Sequence, residues 1–135
     1  MTPLAPPDWL WAVPYDASAL PSAEPLLPGE GANCQRFAYA VLTEAGRSVP
    51  PHRSSELWSD ETLTHPPLSA TQPLDLVLFN DADEAYGAHL AVVVADDQLL
   101  HLCREVGQPT VWRWSDFVTR PRYAHVVGAV RPTAS

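Results

Sequence analysis

The spacing of apolar residues predicts one amphipathic helix in the first half of the chain. Apolar side chains recur every three to four residues and so share one helix face, at Phe37, Ala38, Val41, Leu42 and Ala45. Asn33 is a favourable N-cap residue, and Gly46 is a favourable helix stop. These signals predict a helix from Cys34 to Ala45.

From Asp75 onward the pattern changes to short apolar runs that are separated by turn residues, as is typical of β-strands. Asp96-Asp97 predicts a tight hairpin between the second and third runs. The five runs are DLVLFN (75–80), HLAVVVAD (89–96), QLLHLCR (98–104), TVWRW (110–114) and YAHVVGAV (123–130). A helix followed by a meander of about five antiparallel strands predicts an α+β fold.

The N-terminal segment differs from the rest in its proline content. Seven of the 15 prolines precede residue 30, which excludes a long helix or a central strand there. We expect an extended arm over residues 1–26 and a folded domain over residues 27–135. This arm is too apolar to be left in solvent, so we expect it to pack on the domain. Its apolar residues are Trp9, Leu10, Trp11, Val13 and Tyr15.

Composition narrows the class of protein. The chain has 135 residues, of which 46% are hydrophobic and 18% charged, as in a single globular domain. Its net charge is −8 and all eight basic residues are Arg, which argues against a nucleic-acid partner. No apolar run approaches the roughly 18 residues of a membrane span. No secretory signal is readable, so we expect a cytoplasmic protein, with export by another route left open.

Three residues form a candidate for nucleophilic catalysis. Cys34 lies in the first helical turn, where the unpaired N–H groups are expected to lower the thiol pKa. His89 opens the most hydrophobic strand, and the predicted hairpin brings His101 beside it. A thiol, an imidazole and a third polar group are the components of this chemistry. The alternatives are a buried structural Cys and structural His residues; no CxxC or HxxxH pair accompanies them, so we expect no metal and no cofactor.

The same segments resemble the NlpC-type family of papain-like cysteine peptidases, which hydrolyse bacterial cell walls. GANCQRFAYAVLTEAG (31–46) is similar to the nucleophile helix of that family. PLDLVLF (73–79) resembles its Gly-Asp-Leu strand, AHLAVVVADDQLLHL (88–102) its His-containing hairpin, and VVGAVRP (126–132) its closing strand. The resemblance implies that Cys34 is the nucleophile, His89 the general base and acid, and His101 the residue that orients His89.

The sequence departs from the family pattern around Cys34, in the stretch before it and at residue 74. Asn33, Gln35 and Arg36 surround the cysteine where the family has Asp-Cys-Ser-Gly, and we expect these three to contact the substrate. No Tyr lies between Glu24 and Ala32, where the family has one that binds the oxyanion, and Leu74 replaces a Gly. The resemblance implies hydrolysis of an amide or isopeptide bond in a peptidoglycan stem peptide. The alternatives are a non-catalytic binding domain and a thiol hydrolase or acyltransferase for another amide, ester or thioester.

Overall fold

A computed structural model describes residues 5–134, so residues 1–4 of the predicted arm and residue 135 lie outside the described residues. Helix α1 spans Cys34–Glu44, α2 spans Ser54–Ser59 and α3 spans Trp114–Val118. Short 3-10 helices cover Asp8–Ala12, Leu68–Ala70 and Pro121–Tyr123. Helix α1 begins and ends close to where the apolar spacing and the two capping residues predict.

Within the described residues, seven strands form two antiparallel sheets. The larger sheet has the order β5-β4-β3-β2-β6, and β1 pairs with β7 in a separate ribbon. The strands are β1 (Arg47–Ser48), β2 (Leu76–Asn80), β3 (His89–Ala95), β4 (Gln98–His101), β5 (Thr110–Trp112), β6 (His125–Val130) and β7 (Thr133–Ala134). The five-stranded antiparallel sheet beside helix α1 confirms the α+β prediction.

The large sheet is covered on both faces. Alternate residues of β3, such as Leu90 and Val92, belong to a core cluster that includes the apolar face of α1. Ala91 and Val93 belong to a second cluster with Phe117 of α3 and Tyr123. Strand β3 is the central strand of this sheet, and every one of its residues is buried. The residues that follow His89 are therefore a continuous apolar run.

The β3–β4 hairpin turns at Asp97, which has a φ of +52°. Val92 pairs with Leu100, and the register shifts between Val93 and Ala95. Counting residues outward from the Asp96-Asp97 turn predicts Arg104 nearly opposite His89, and the shift moves the pairing from this count by one residue. A β-bulge adds one unpaired residue to a strand and carries no simple sequence signal.

Two backbone positions near the sheet restrict which residue they can hold without strain. A Cβ atom on Gly128 of β6 would lie 2.3 Å from Cη2 of Trp58, so only glycine lets α2 pack this closely. Leu74, which precedes β2, has a φ of +78° in the left-handed region. A leucine at this position therefore carries backbone strain of about 1–2 kcal/mol.

Part of the N-terminal segment packs into the first core cluster. Leu10 is fully buried and Val13 is 2% exposed, and both belong to the same cluster as α1. The backbone of Tyr15 forms a parallel bridge with Ala32, and its N–H donates to the Gly107 carbonyl at 3.0 Å. These bonds bring the segment to the start of α1.

Candidate active site

Helix α1 begins at the candidate nucleophile. The side chain of Asn33 accepts a hydrogen bond from the Arg36 N–H at 2.8 Å, which caps the helix and fixes the backbone around Cys34. The Cys34 side chain is half-buried. The backbone N–H of Leu90 is close enough to the Cys34 sulfur to lower the thiol pKa, so the thiol lies near the residue that follows His89.

The electrostatic balance at Cys34 differs from the sequence expectation. Burial raises the pKa of the Cys34 thiol, while the backbone N–H groups of Leu90 and Gln35 and the charge of Arg122 lower it by less. The expected lowering of this pKa by the helix start is wrong, because desolvation of a thiolate outweighs a few backbone dipoles. At neutral pH the resting group is therefore a thiol.

His89 and His101 form a hydrogen-bonded pair. Nε2 of His89 lies 2.8 Å from Nδ1 of His101, and the two residues are 4% and 1% exposed. Burial, followed by the neighbouring His101 and Arg122, lowers the pKa of His89 well below its ordinary value. Burial and the charge of Arg120 lower the pKa of His101 to about 3. Both imidazoles are therefore neutral at pH 7.

An aromatic cage surrounds the His101 ring. The rings of Trp112 and Phe117 lie 4.2 Å and 4.7 Å from it, centroid to centroid, at steep angles. Among the described residues, Nε2 of His101 is the buried side-chain nitrogen or oxygen that has no hydrogen-bond partner. A weak N–H to π contact suits such a cage better than a lone pair does, since aromatic faces are negative.

The aromatic cage favours one pair of tautomers of His89 and His101. If His101 carries its proton on Nε2, its Nδ1 accepts a hydrogen bond from the Nε2–H group of His89. Nδ1 of His89 then holds a lone pair, which is the state required of a general base. The opposite tautomer would place a proton on Nδ1 of His89 and block this role.

The three residues expected to contact substrate each have protein partners. Asn33 caps α1, and the buried Gln35 donates to Ser54 Oγ at 2.7 Å. Arg36 donates to the Leu20 carbonyl at 3.0 Å and to Ser22 Oγ at 2.8 Å, so it ties the N-terminal segment to α1. Their contacts with a substrate stay predictions.

Tyr15 is a candidate that the sequence did not reveal. Burial raises the pKa of Tyr15, and the nearby Cys34 raises it further, so the phenol and the thiol are electrostatic neighbours. The stretch between Glu24 and Ala32, where the resemblance implies a tyrosine, contains none. The bridge between Tyr15 and Ala32 provides the same proximity through the fold, which no local sequence pattern could indicate.

Other features lie apart from Cys34. Cys103 is 1% exposed, as expected of an inert thiol, and burial raises its pKa. A cavity of about 260 Å³ lies between α1 and residues 21–26, and a second of about 260 Å³ surrounds Arg131; Cys34 lines neither.

Within residues 5–134 no group of three His, Cys, Asp or Glu side chains is suited to a metal ion. No helix in that range is long and apolar enough to cross a membrane.

Comparison with known proteins identifies the fold. No protein-family model matches the sequence, and no curated protein matches it. Solved structures do match. The peptidoglycan hydrolase RipB of Mycobacterium tuberculosis aligns over 93% of this chain with a TM-score of 0.60 and 18% identity. An NlpC/P60 family protein of Bacillus cereus aligns over 87% with a TM-score of 0.58 and 17% identity. The P60 domain of an antigen of M. avium subspecies paratuberculosis aligns over 91% with a TM-score of 0.59 and 15% identity.

These similarities define the class of fold. The chain has the papain-like α+β fold of NlpC/P60 domains, as the resemblance in sequence implies. It spans 59% of the length of the M. tuberculosis chain and 37% of the B. cereus chain. At these identities the likeness concerns the fold alone, since activity depends on the residues of the site.

Proposed function

We propose that the protein is a cysteine-dependent hydrolase of an amide or isopeptide bond, with Cys34 as nucleophile, His89 as general base and acid, and His101 as orienting residue. The observation that carries the proposal is the juxtaposition at β3. The Leu90 N–H acts on the pKa of the Cys34 thiol, and the adjacent His89 is hydrogen-bonded through Nε2 to His101. In this proposal Nδ1 of His89 is the nitrogen that accepts the thiol proton.

The catalytic cycle starts from a neutral thiol and a neutral imidazole. As the Cys34 sulfur bonds to the substrate carbonyl carbon, His89 accepts the thiol proton. His89 then donates this proton to the leaving amine while the C–N bond breaks, which leaves a thioester. Water attacks the thioester, His89 takes and returns one proton, and the C–S bond breaks to release the acid and restore the thiol. The elevated pKa of Cys34 makes this dependence on His89 strong.

The oxyanion of the tetrahedral intermediate needs hydrogen-bond donors beside Cys34. The Cys34 backbone N–H at the start of α1 is one candidate. The hydroxyl of Tyr15, whose high pKa keeps it protonated at neutral pH, is the second. In this proposal Tyr15 does the work of the tyrosine that the family-like stretch before Cys34 lacks.

The proposed substrate is a peptidoglycan-type stem peptide. It is supported by the fold shared with NlpC/P60 domains, one of which belongs to a peptidoglycan hydrolase. Asn33 replaces the acidic residue that would pair with a free substrate amine, so we expect a substrate whose amino end is acylated. Other amides, esters and thioesters are the alternative substrates of the same thiol.

The test is a panel of stem peptides with free and acetylated amino ends, incubated with the purified full chain and analysed by mass spectrometry. We expect cleavage of one amide bond that disappears in Cys34→Ala and persists in Cys103→Ala. Circular dichroism checks that both variants fold. Cleavage by Cys34→Ala at the native rate would remove Cys34 from the mechanism.

A second candidate function is a binding domain that retains the fold without the chemistry. It is favoured by one observation: a cavity of about 260 Å³ lies between α1 and the N-terminal segment and is not lined by Cys34. In that case the panel yields no product, while a stem peptide still binds in calorimetry and Cys34→Ala binds with the same affinity.

A further inference from the structure

A line of buried hydrogen bonds joins the start of α1 to the start of β3. Gln35 Nε2 donates to Ser54 Oγ at 2.7 Å, and Ser54 Oγ donates to the Ala88 carbonyl at 2.6 Å. Ser54 is 1% exposed and Gln35 is 4% exposed. Gln35 directly follows Cys34, and Ala88 directly precedes His89. The line therefore connects the nearest neighbours of the two proposed catalytic residues.

The amide oxygen of Gln35 is also occupied. It accepts from Asn33 Nδ2 at 3.2 Å and from Arg53 Nε at 3.1 Å. Asn33 in turn caps α1 through the Arg36 N–H. Rotation of the Gln35 side chain would leave several buried polar groups without partners, so its orientation is strongly fixed.

Ser54 belongs to a helix that is itself held against the sheet. Leu57 of α2 is fully buried, and Trp58 packs so tightly on Gly128 that a Cβ there would lie 2.3 Å from Cη2. Ser54 is thus a fixed point between α1 and β3. Apolar packing of a helix on a sheet is non-directional, whereas these hydrogen bonds impose direction and length.

We propose that Ser54 and Gln35 are positioning residues that hold Cys34 in register with His89. This inference rests on the proposed function, because it assigns them a role toward that pair. Nucleophile and base must be held within about 0.5 Å of the productive geometry, and a displacement of about 1 Å can reduce the rate about 100-fold. Ser54 has no assigned contact with the substrate and acts through Cys34 and Ala88.

The test measures alkylation of Cys34 by iodoacetamide across pH 5–10, with mass mapping, in the full chain. Ser54→Ala is expected to slow the neutral-pH reaction of Cys34 by about tenfold or more, so that the rate rises only near the pKa of a thiol without a base. Ser54→Thr keeps the hydroxyl and is expected to restore the native pH profile. Ser55→Ala, on the same helix and outside the line of bonds, is the matched control and should react as the native chain does.

The thermal midpoint is measured in parallel, and Gln35→Met serves as a second variant should Ser54→Ala not fold. Leu63→Ala, a core substitution away from the line of bonds, controls for loss of stability alone. A native rate and profile in folded Ser54→Ala, or in folded Gln35→Met if Ser54→Ala does not fold, would overturn the positioning role. His89→Gln separates the two proposals: if it slows Cys34 and Ser54→Ala does not, only the positioning role fails. If neither variant slows Cys34, the proposed function fails as well.

Discussion

The two sides of the first residues of β3 are built from different kinds of side chain. Toward α1, the amides and hydroxyl of Asn33, Gln35 and Ser54 are buried and hydrogen-bonded to one another. On the other side, His89 and His101 are buried among aromatic rings, and Nε2 of His101 has no partner. The polar side fills its hydrogen-bonding capacity, whereas the aromatic side leaves one atom unsatisfied.

The difference indicates a division of labour within the proposed site. Directional bonds on the α1 side fix where the thiol lies. The apolar surroundings on the α3 side keep both imidazoles neutral, as the lowered pKa values of His89 and His101 show. A neutral His89 is available as a base at pH 7, which a protonated ring would not be.

The largest effect is expected when the hydrogen-bond acceptor of His89 Nε2 is removed. His101→Leu eliminates the partner of His89 Nε2, so we expect kcat toward a cleaved peptide to fall by about 10²–10⁴-fold. His101→Asn retains an acceptor oxygen and should keep most of the activity. Equal losses in both variants would show that His101 contributes packing and not orientation. Steady-state kinetics on both variants decide the point.

A somewhat smaller loss is expected from Tyr15. Tyr15→Phe removes the hydroxyl proposed to bind the oxyanion, so kcat should fall by about 10²–10³-fold while KM changes little. Tyr86→Phe is the control, because Tyr86 is 77% exposed and makes its backbone contacts elsewhere. A rise in KM with an unchanged kcat would place Tyr15 outside the oxyanion site.

The role of Asn33 on the polar side can be tested by adding a negative charge. Asn33→Asp keeps an oxygen that caps α1 and adds a negative charge beside Cys34. A charge-assisted bond to a substrate amine is stronger by about 1–3 kcal/mol, so the ratio of kcat/KM for free over acetylated peptides should rise about 5–150-fold. Gln98→Asp, at the far end of the β3–β4 hairpin, adds the same charge and should leave the ratio unchanged. A native enzyme that already prefers the free amine would contradict the assignment.

The aromatic side predicts a pH dependence of stability. The unfolded chain protonates His101 near pH 6.5, whereas the folded chain does so only near pH 3. Acidification within this window therefore favours unfolding, and His101 contributes a slope of up to about 1.4 kcal/mol per pH unit. Urea unfolding at pH 7, 6 and 5 measures it. His101→Leu should reduce the slope, while the lowered pKa of His89 maintains part of it; an identical slope in the variant would show that His101 titrates normally in the fold.

Local sequence signals account for the scaffold more than for the site. Asn33 and Gly46 mark the ends of α1, and Asp96-Asp97 marks the hairpin, because caps and turns depend on residues close in sequence. The pairing of His89 with His101 also follows from that hairpin. Tyr15 and Ser54 could not be found in this way, since their neighbours come from other segments of the chain.

The direction in which the pKa of the Cys34 thiol is shifted could not be predicted from the sequence, for a related reason. A helix start predicts stabilisation of an anion, and that contribution is present at Cys34. Burial is set by the packing of β3, α1 and the N-terminal segment together, and its effect on the pKa is larger. The bulge near Val94 likewise depends on how the whole sheet twists.

The most direct test of the central claim is the rate of iodoacetamide labelling of the two thiols at neutral pH in the native chain and in His89→Gln. The account predicts that Cys34 is modified first, that Cys103 follows much more slowly, and that His89→Gln slows Cys34 without changing Cys103. Faster labelling of Cys103, or an unchanged Cys34 rate in His89→Gln, would contradict a thiol nucleophile activated by the histidine pair.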